Sequence, residues 1–351
     1  MAGTQSNSIA RVYDSLSGRN RIINGDCRIA QRGPLAVASG TNGYGGPDRY
    51  LAANGTGGGQ FTQSQGTITF GGVALNSVTQ TVNTAITTIT SGNYWGGIQQ
   101  RIEGYNVYDL LGQTISVSFI FNTNVTGTYN LSLVDGGAVN SYVTTFTATA
   151  NTPTRYTFLI PTLPTSLNIP DSNAIGMYVT IGFINTGIYQ TASPNSWQSS
   201  VAYTSAGATN WGATIGNFIS VTNLQVEAGN IATPFEHRLY AQEFLLCQRY
   251  FQAYNFASGQ AFLVGLNTST TDSFAFFPLE APMRIAGTAT SVGAGAFDFN
   301  TGLGTIGLNA LTTTTFQVIF HFSTPSGLTA FQAGYAVAAS GLAVLFVNSE
   351  L

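Results

Sequence analysis

Hydrophobic and polar residues alternate over short segments along most of this 351-residue chain. Within 114–123 every second residue is apolar, which places these residues on one face of an extended strand. They are Ile115, Val117, Phe119 and Phe121. Other β-prone segments lie at 60–65, 78–84, 127–134, 142–149, 155–160, 176–184 and 217–227. Because turns rich in Gly, Asn and Pro separate them without helical periods, the pattern predicts a jelly-roll-like β-sandwich over 21–235.

Near residue 236 the apolar spacing changes from two to three and four, which is typical of a helix. Pro234 lies just before the predicted start, and Glu236 lies in the first turn, where a carboxylate complements the helix dipole. We therefore predict a short helical hinge over 236–254.

The predicted helix has two apolar stripes, more than one domain would be expected to cover. The pattern favours contact with a second copy of the chain, and the alternative is a helix wedged between the two domains of a monomer. The candidate oligomer-interface residues are Leu239, Tyr240, Phe244, Cys247, Tyr250 and Phe251.

Residues 255–351 return to alternating segments, and they predict a smaller C-terminal β-sandwich. The segments lie at 261–266, 273–279, 316–322, 332–339 and 342–348. Residues 1–20 are polar and predict an N-terminal arm. The chain as a whole is expected to be mainly β.

The composition argues against several classes of protein. A net charge of −3 argues against nucleic acid as the main partner. The longest apolar run, 334–347, is shorter than the roughly 20 residues that a membrane-spanning helix needs. Two cysteines in 351 residues do not form a disulfide framework. Charged residues make up only 7% of the chain, but 44% hydrophobic residues are sufficient to build a core.

Several spaced motifs resemble those of bacteriophage virion fibre proteins of the tail-fibre or head-fibre type. They are RNRIINGDCRIAQRG (19–33), PDRY (47–50), QRIEGYNVYDLLGQTISVSFIF (100–121), VTNLQVEAGNIATPFEHRLYAQEFLLCQRYFQ (221–252), FPLEAPMR (277–284) and the C-terminal VNSEL. The resemblance implies a carbohydrate-module-like β-sandwich, a homotrimer, contacts with other virion proteins and a location on the virion. It also implies possible binding of host-surface polysaccharide, with residues 1–20 as a candidate attachment arm. A capsid-decorating or adaptor protein without a receptor role is the alternative.

The few charged residues within these motifs are predicted to form buried or half-buried structural pairs, and a ligand site is the alternative. These residues are Arg28, Arg32, Asp48, Arg49, Arg101 and Glu103. Removing a charge from water is costly unless it is paired, so a chain this poor in charge is expected to pair the ones it buries.

No catalytic motif stands out in the sequence. A G-x-G-x-x-G occurs at 302–307, but strand-like sequence follows it where a nucleotide site needs a helix. Paired carboxylates are the remaining enzymatic route, that of a glycan depolymerase; the candidates are Asp26, Asp48, Glu103 and Asp109. Calcium could use Asp26, Asp48 or Asp135, although their spacing is not specific. We predict a non-enzymatic protein without a cofactor or a metal.

Aromatic residues in Gly-, Ser- and Asn-rich segments are the better candidates for ligand contact. Such rings stack on the apolar faces of sugars while neighbouring amides bind the hydroxyls. The candidate glycan-binding residues are Tyr44, Tyr94, Trp95, Trp197 and Trp211. The alternative is that these rings pack at the ends of the sandwich or against another subunit.

Overall fold

The computed structural model describes residues 18–55, 59–87, 94–185, 187–292, 297–300, 305–323, 328, 330, 332–338 and 343–351. The chain forms two compact units, one ending at Leu239 and including Leu351, the other spanning Tyr240–Glu350. The fold is mainly β, as the alternation predicted. Most of the predicted N-terminal arm lies outside the described residues.

The N-terminal unit is built from short and medium-length strands. They are β1 (Leu35–Val37), β2 (Thr41–Tyr44), β3 (Tyr50–Asn54), β4 (Gln60–Phe70), β5 (Val73–Thr84), β6 (Tyr94–Glu103), β7 (Ile115–Thr123), β8 (Gly127–Asp135), β9 (Ser141–Ala148), β10 (Thr154–Ile160), β11 (Ile175–Ile181), β12 (Ile184–Asn185), β13 (Gln190–Thr191), β14 (Trp197–Gln198), β15 (Thr204–Ser205) and β16 (Phe218–Ala228). Short 3-10 turns lie at Gly104–Asn106, Tyr108–Leu110, Gly187–Tyr189 and Trp211–Ala213.

These strands form a sandwich of two large sheets. The six-stranded sheet has the order β1-β4-β5-β16-β7-β10. The eight-stranded sheet contains β14-β9-β8-β11-β6-β3-β2, with β12 pairing to β6. Between the strands of these two sheets, the chain crosses from β1 to β2, β3 to β4, β5 to β6, β6 to β7, β7 to β8, β9 to β10, β10 to β11 and β14 to β16. Apolar side chains from both sheets, including Ile115, Val117, Phe119 and Phe121 of β7, form one continuous buried core.

Residues of two resemblance motifs, 19–33 and 221–252, meet each other in this unit. The Asn20 side chain donates to the Leu224 carbonyl (3.1 Å) and accepts from the Val226 N–H (3.1 Å). The Glu236 carboxylate accepts from the backbone N–H groups of Gly18 (3.1 Å) and Asn20 (2.6 Å). These motif residues therefore hold the beginning of the described chain against its last sandwich strand.

The helix is shorter than the predicted hinge of 236–254. The helix α1 spans Tyr240–Gln248, and Phe251 already begins the next strand. Glu236 does not lie in a helical turn because its carboxylate binds the N-terminal segment instead.

The C-terminal unit follows with β17 (Phe251–Phe256), β18 (Ala261–Asn267), β19 (Asp272–Pro278), β20 (Thr288–Val292), β21 (Phe297–Asn300), β22 (Thr305–Thr313), β23 (Gln317–Ser323), β24 (Ala333–Ala338) and β25 (Ala343–Asn348). Six of them close into a barrel in the order β18-β19-β23-β22-β21-β24, and β17-β25-β20 form a separate sheet. The predicted small sandwich is thus more closed than the alternation alone indicated, because β18 pairs with both β19 and β24.

The core of the C-terminal unit is rich in aromatic residues. Val318, Phe320 and Phe322 of β23 point into it, as their alternation predicted, whereas Phe316 precedes the strand and is exposed. Both Cys27 and Cys247 are buried free thiols. Within the described ranges, no helix has the length and apolar character needed to cross a membrane.

Candidate functional site

A concave groove lies on the outer face of the eight-stranded sheet, the face turned away from the sandwich core. It encloses a cavity of about 150 Å³. Its lining residues come from β2, β3, β6, β11 and the segment that follows β11: Asn42, Leu51, Ala53, Gln99, Arg101, Tyr178, Phe183 and Tyr203. Residues between 187 and 205 contact the neighbouring strands β8 and β9, for example where Ser141 donates to the Ser200 carbonyl and the Ser205 N–H donates to Asn130. The groove lies on the part of the sheet formed by β2, β3, β6 and β11.

Strand alternation and register place the polar floor of the groove. On β6, Ile98 and Ile102 are part of the core, whereas Gln99 and Arg101 face outward. On β11, Tyr178 likewise alternates with buried Met177 and Val179. Tyr178 is the cross-strand partner of Arg101, and Thr180 is the partner of Gln99.

These four outward residues form a connected row. The guanidinium carbon of Arg101 lies 5.4 Å from the centre of the Tyr178 ring, a cation–π contact. The Arg101 Nε donates to Gln99 Oε1 (3.2 Å), and Gln99 Nε2 donates to Thr180 Oγ1 (3.1 Å). The row fixes the plane of the guanidinium group while leaving part of it open to the groove.

Aromatic rings form one wall of the groove. Phe183 stacks on Tyr203 with their ring centres 5.4 Å apart, and Tyr189 lies 5.8 Å from Tyr203. Phe183 approaches β6 closely because Gly97 has no side chain: a Cβ there would lie 2.1 Å from the Phe183 ring, and its φ of +92° also favours glycine. Sequence reasoning missed Tyr178, Phe183 and Tyr203, although the position of Tyr178 between Met177 and Val179 was an available signal.

Tyr44 lies beside the groove, where it packs against Leu51, Ala53 and Phe183. Its hydroxyl donates to a main-chain oxygen of Leu351 (2.8 Å), and the Arg101 guanidinium donates to the same oxygen. Two donors from different strands therefore converge on one acceptor position. Of the predicted glycan-binding aromatics, Tyr44 is the one that the structure brings to this groove.

The other predicted aromatics lie elsewhere. Trp211 has no exposed surface: it belongs to the core, and its Nε1 donates to the Gly182 carbonyl (2.8 Å). This corrects its assignment as a sugar contact, since a ligand cannot reach it. Trp197, on β14, is half-buried and packs on Tyr142 at 5.6 Å. The backbones of Tyr94 and Trp95 lie in β6, and their side chains lie outside the described residues.

Some of the residues predicted to form charge pairs do so within the fold, whereas one of them, Arg101, lies in the groove. Arg28 binds Asp26 (3.0 Å), and Arg32 lies 3.8 Å from the fully buried Asp48. The remaining three occupy different surroundings: Arg49 is buried and donates to the Arg101 carbonyl (2.7 Å), Glu103 is buried, and the Arg101 side chain lies in the groove.

The predicted interface residues also divide. Leu239 is 80% exposed and Tyr240 is 58% exposed, and the Tyr240 ring stacks on Phe244 at 6.1 Å. Cys247, Tyr250 and Phe251 are buried within the protein. In this structure these three are core residues. The prediction of a contact with a second copy therefore now concerns Leu239, Tyr240 and Phe244.

Asp135, one of the candidate calcium ligands, has structural hydrogen-bond partners. Asp135 accepts hydrogen bonds from the N–H groups of Val139 (2.8 Å), Asn140 (3.1 Å) and Asn168 (2.9 Å) and from the Asn140 side chain (2.7 Å). These donors occupy the oxygens that calcium would need. Across the described part of the chain, no cluster of three His, Cys, Asp or Glu side chains could hold a metal ion.

His321 and Asp272 form a pair on the C-terminal barrel, with Nε2 and Oδ1 2.8 Å apart. Hydrogen bonds from Thr271, His321 and Ser269 lower the pKa of Asp272 to about 2. Ser269 donates to the Asp272 carboxylate (2.9 Å), whereas activation of a serine nucleophile requires the histidine to accept its proton. This cluster lacks the geometry of a catalytic triad.

Comparisons with known proteins find similarity to solved structures at about 10% identity. No family model and no curated protein matches it. It is similar to the enzymatically active domain of tailspike protein 4 of bacteriophage CBA120 at 10% identity, over 60% of this chain and 22% of that chain, with a TM-score of 0.31. It is also similar to the family 11 carbohydrate-binding module of a Clostridium thermocellum cellulosomal cellulase at 10% identity, over 61% of this chain and 97% of that one, with a TM-score of 0.29. This chain spans only 22% of the tailspike domain's length.

Proposed function

We propose that the N-terminal unit binds host-surface glycan in the groove, without cleaving it, and that the chain is a component of a phage virion fibre. The observation that carries the glycan proposal is the groove itself, where aromatic rings adjoin fixed amide and guanidinium groups. Sugars present both apolar faces and hydroxyl groups, so a site that combines these two surfaces suits them.

The lining of the groove supports binding without catalysis. Glycoside hydrolysis ordinarily requires two carboxylates flanking the scissile bond. Among the described residues that line the groove, none is Asp or Glu. A depolymerase would therefore need a different site, and a polysaccharide incubated with the protein should keep its chain length.

The fibre part of the proposal draws on the resemblance motifs and on an exposed apolar wall of the C-terminal barrel. Val264 is 76% exposed and pairs with Tyr335 of β24. On the neighbouring strand β19, Phe276 is 53% exposed and pairs with Ile319. Contiguous exposed apolar surface favours protein contacts, and a homotrimer would cover it with copies of the same chain.

Glycan binding is tested on an array of bacterial surface polysaccharides with the full chain and two groove variants. Tyr178→Ala and Tyr203→Ala are each expected to weaken the signal about tenfold or more, as for a central aromatic contact. Tyr105→Ala is the matched control, because this tyrosine is exposed on the same unit away from the groove. A signal that survives both groove variants would place glycan binding outside the groove, and no signal from the full chain would favour a capsid-decorating or adaptor role.

Self-association is tested by mass photometry at micromolar concentration. Phe276→Asp is expected to convert trimer to monomer because it places a charge in the proposed contact. Ile215→Asp is the control, since Ile215 is comparably exposed on the N-terminal unit. A stable monomer of the unmodified chain would contradict the homotrimer, and a trimer unaffected by Phe276→Asp would contradict this surface.

A further inference from the structure

We propose that the groove selects glycans that carry a carboxylate, such as uronic acid polymers, and that Arg101 recognises this group. The inference rests on the proposed glycan function and specifies the class of sugar. It begins with charge: among the described lining residues, Arg101 is the one charged side chain. A carboxylated sugar entering the groove would therefore meet a cation without meeting a lining carboxylate that repels it.

The surroundings of Arg101 differ from those of five other arginines in the same unit, each of which lies beside an acidic side chain. Ion pairs join Arg19 to Glu227 (3.4 Å), Arg21 to Asp109 (2.6 Å), Arg28 to Asp26 (3.0 Å), Arg32 to Asp48 (3.8 Å) and Arg238 to Glu236 (3.9 Å). The recorded partners of Arg101 are the Gln99 amide oxygen, the Tyr178 ring and a main-chain oxygen of Leu351. None of them is an Asp or Glu side chain, in a chain with only 7% charged residues.

The geometry around Arg101 is suited to an oxygen ligand with negative charge. Tyr178 lies against the guanidinium plane and Gln99 accepts from Nε, so the group is held in one orientation. The Tyr44 hydroxyl and the Arg101 guanidinium already converge on one oxygen, that of Leu351. A sugar carboxylate would have to displace Leu351 from this position, and it would then receive both donors. Hydrogen bonds between charged groups are stronger than neutral ones.

The other residues that line the groove can contact the ring and the hydroxyl groups of a sugar. Tyr203, half-buried and stacked on the buried Phe183, offers aromatic surface to a pyranose ring. Asn42, exposed at the rim, offers an amide to its hydroxyls. These contacts do not distinguish acidic from neutral sugars. Discrimination is therefore expected to depend on Arg101.

The experiment measures binding of two matched probes to the full chain by isothermal titration calorimetry. One probe is an oligogalacturonate, and the other is the same oligosaccharide with its carboxyl groups methyl-esterified. The acidic probe is expected to bind about tenfold more tightly or better, the range of one charge-assisted hydrogen bond. Its advantage is expected to shrink as salt is raised, because a partly exposed ion contact is screened.

Two substitutions at Arg101 locate the effect. Arg101→Gln is expected to reduce binding of the acidic probe to the level of the ester and to leave the ester unchanged. Arg101→Lys keeps the charge but loses the planar fork, so it is expected to retain an intermediate preference. Arg155→Gln is the matched control, because Arg155 lies on β10 in the other sheet.

The outcomes separate this inference from the proposed function. Equal or tighter binding of the ester would overturn carboxylate selection while glycan binding stands. A preference for the acidic probe that survives Arg101→Gln would overturn the role of Arg101. If neither probe binds and the polysaccharide array is also silent, the glycan function fails together with the inference. Thermal melting of each variant verifies that a lost signal does not come from unfolding.

Discussion

The two faces of the eight-stranded sheet use the same kinds of residue for different purposes. On β6, Gln100 points inward, and its amide both accepts from the Ile23 N–H (2.9 Å) and donates to the Ile23 carbonyl (2.8 Å). Gln99, its neighbour, points outward and bonds to the side chains of Thr180 and Arg101. The Gln100 amide holds the backbone in place, whereas the Gln99 amide orients the Arg101 guanidinium in the groove.

Aromatic residues show the same division. Trp211 is enclosed in the core, and Gly96 makes room for it: a Cβ at Gly96 would lie 2.5 Å from the indole. Tyr203 lies on the outer face, half-buried in the groove wall. The residue type therefore does not identify a ligand contact, and the face on which it lies does.

The largest expected effect is on the inner face. Trp211→Ala should lower the free energy of unfolding by about 3 to 5 kcal/mol, because it leaves a large cavity and an unpaired Gly182 carbonyl. Urea unfolding followed by circular dichroism measures this. Tyr203→Ala is the comparison variant, expected to lose glycan binding with a much smaller loss of stability. If Trp211→Ala were as stable as Tyr203→Ala, the assignment of Trp211 to the core would be contradicted.

The two glutamines of β6 provide the next comparison. Gln100→Ala should cost about 2 to 3 kcal/mol in unfolding free energy, since it leaves a buried N–H and a buried carbonyl of Ile23 without this partner. Gln99→Ala should cost about 1 kcal/mol, because its two partners, the Thr180 hydroxyl and the Arg101 Nε–H, belong to side chains that can reorient. The same urea measurement serves for both. Equal losses of unfolding free energy in the two variants would contradict this difference between the inner and outer faces.

Asp135, a buried acid at the end of β8, is expected to make the free energy of unfolding depend on pH. Burial by itself raises the pKa of Asp135, but hydrogen bonds from Asn140, Val139 and Asn168 together hold it below its ordinary 3.8. The stabilisation is therefore complete above pH 3.8 and is lost as pH falls through the lower pKa of the folded state. Unfolding in urea at pH 7 and pH 3 should show part of this loss, which for a single group with an unfolded pKa of 3.8 cannot exceed about 1 kcal/mol at pH 3.

Asp135→Asn tests this assignment. The variant should be less stable at pH 7 and should lose less stability than the unmodified chain between pH 7 and pH 3. Asp109→Asn is the control, since its carboxylate pairs with Arg21 at the surface and such pairs contribute little. An unchanged pH dependence in Asp135→Asn would assign the acid sensitivity to other groups.

The smallest effect on stability is expected at Arg101. Arg101→Gln should change the unfolding free energy by less than about 1 kcal/mol, because the side chain is partly exposed and pairs with no Asp or Glu. Differential scanning calorimetry beside Arg155→Gln provides the measurement. A loss of several kcal/mol would mean that Arg101 supports the sheet, and the binding experiments would then need the melting controls to be interpreted.

Much of the fold was predictable because alternation reports local geometry. The β-rich class and the apolar faces of β7 and β23 follow from the spacing of apolar residues, and both are confirmed. The structural pairing of Arg28 and Arg32 followed from the cost of burying charge. The helix was predicted too long because its spacing does not show that the Glu236 carboxylate binds Gly18 and Asn20 more than 200 residues earlier.

The sequence by itself determined that this chain is mainly β, that a helix lies within 236–254, and that several of its few charges would be paired. Tertiary structure alone decided that Arg101, Tyr178, Phe183 and Tyr203 form a groove, and that Trp211 does not belong to it. The physical reason is distance along the chain: alternation fixes which side of its own strand a residue faces. Cross-strand register and the covering segments then determine which residues from distant strands meet there and which remain accessible.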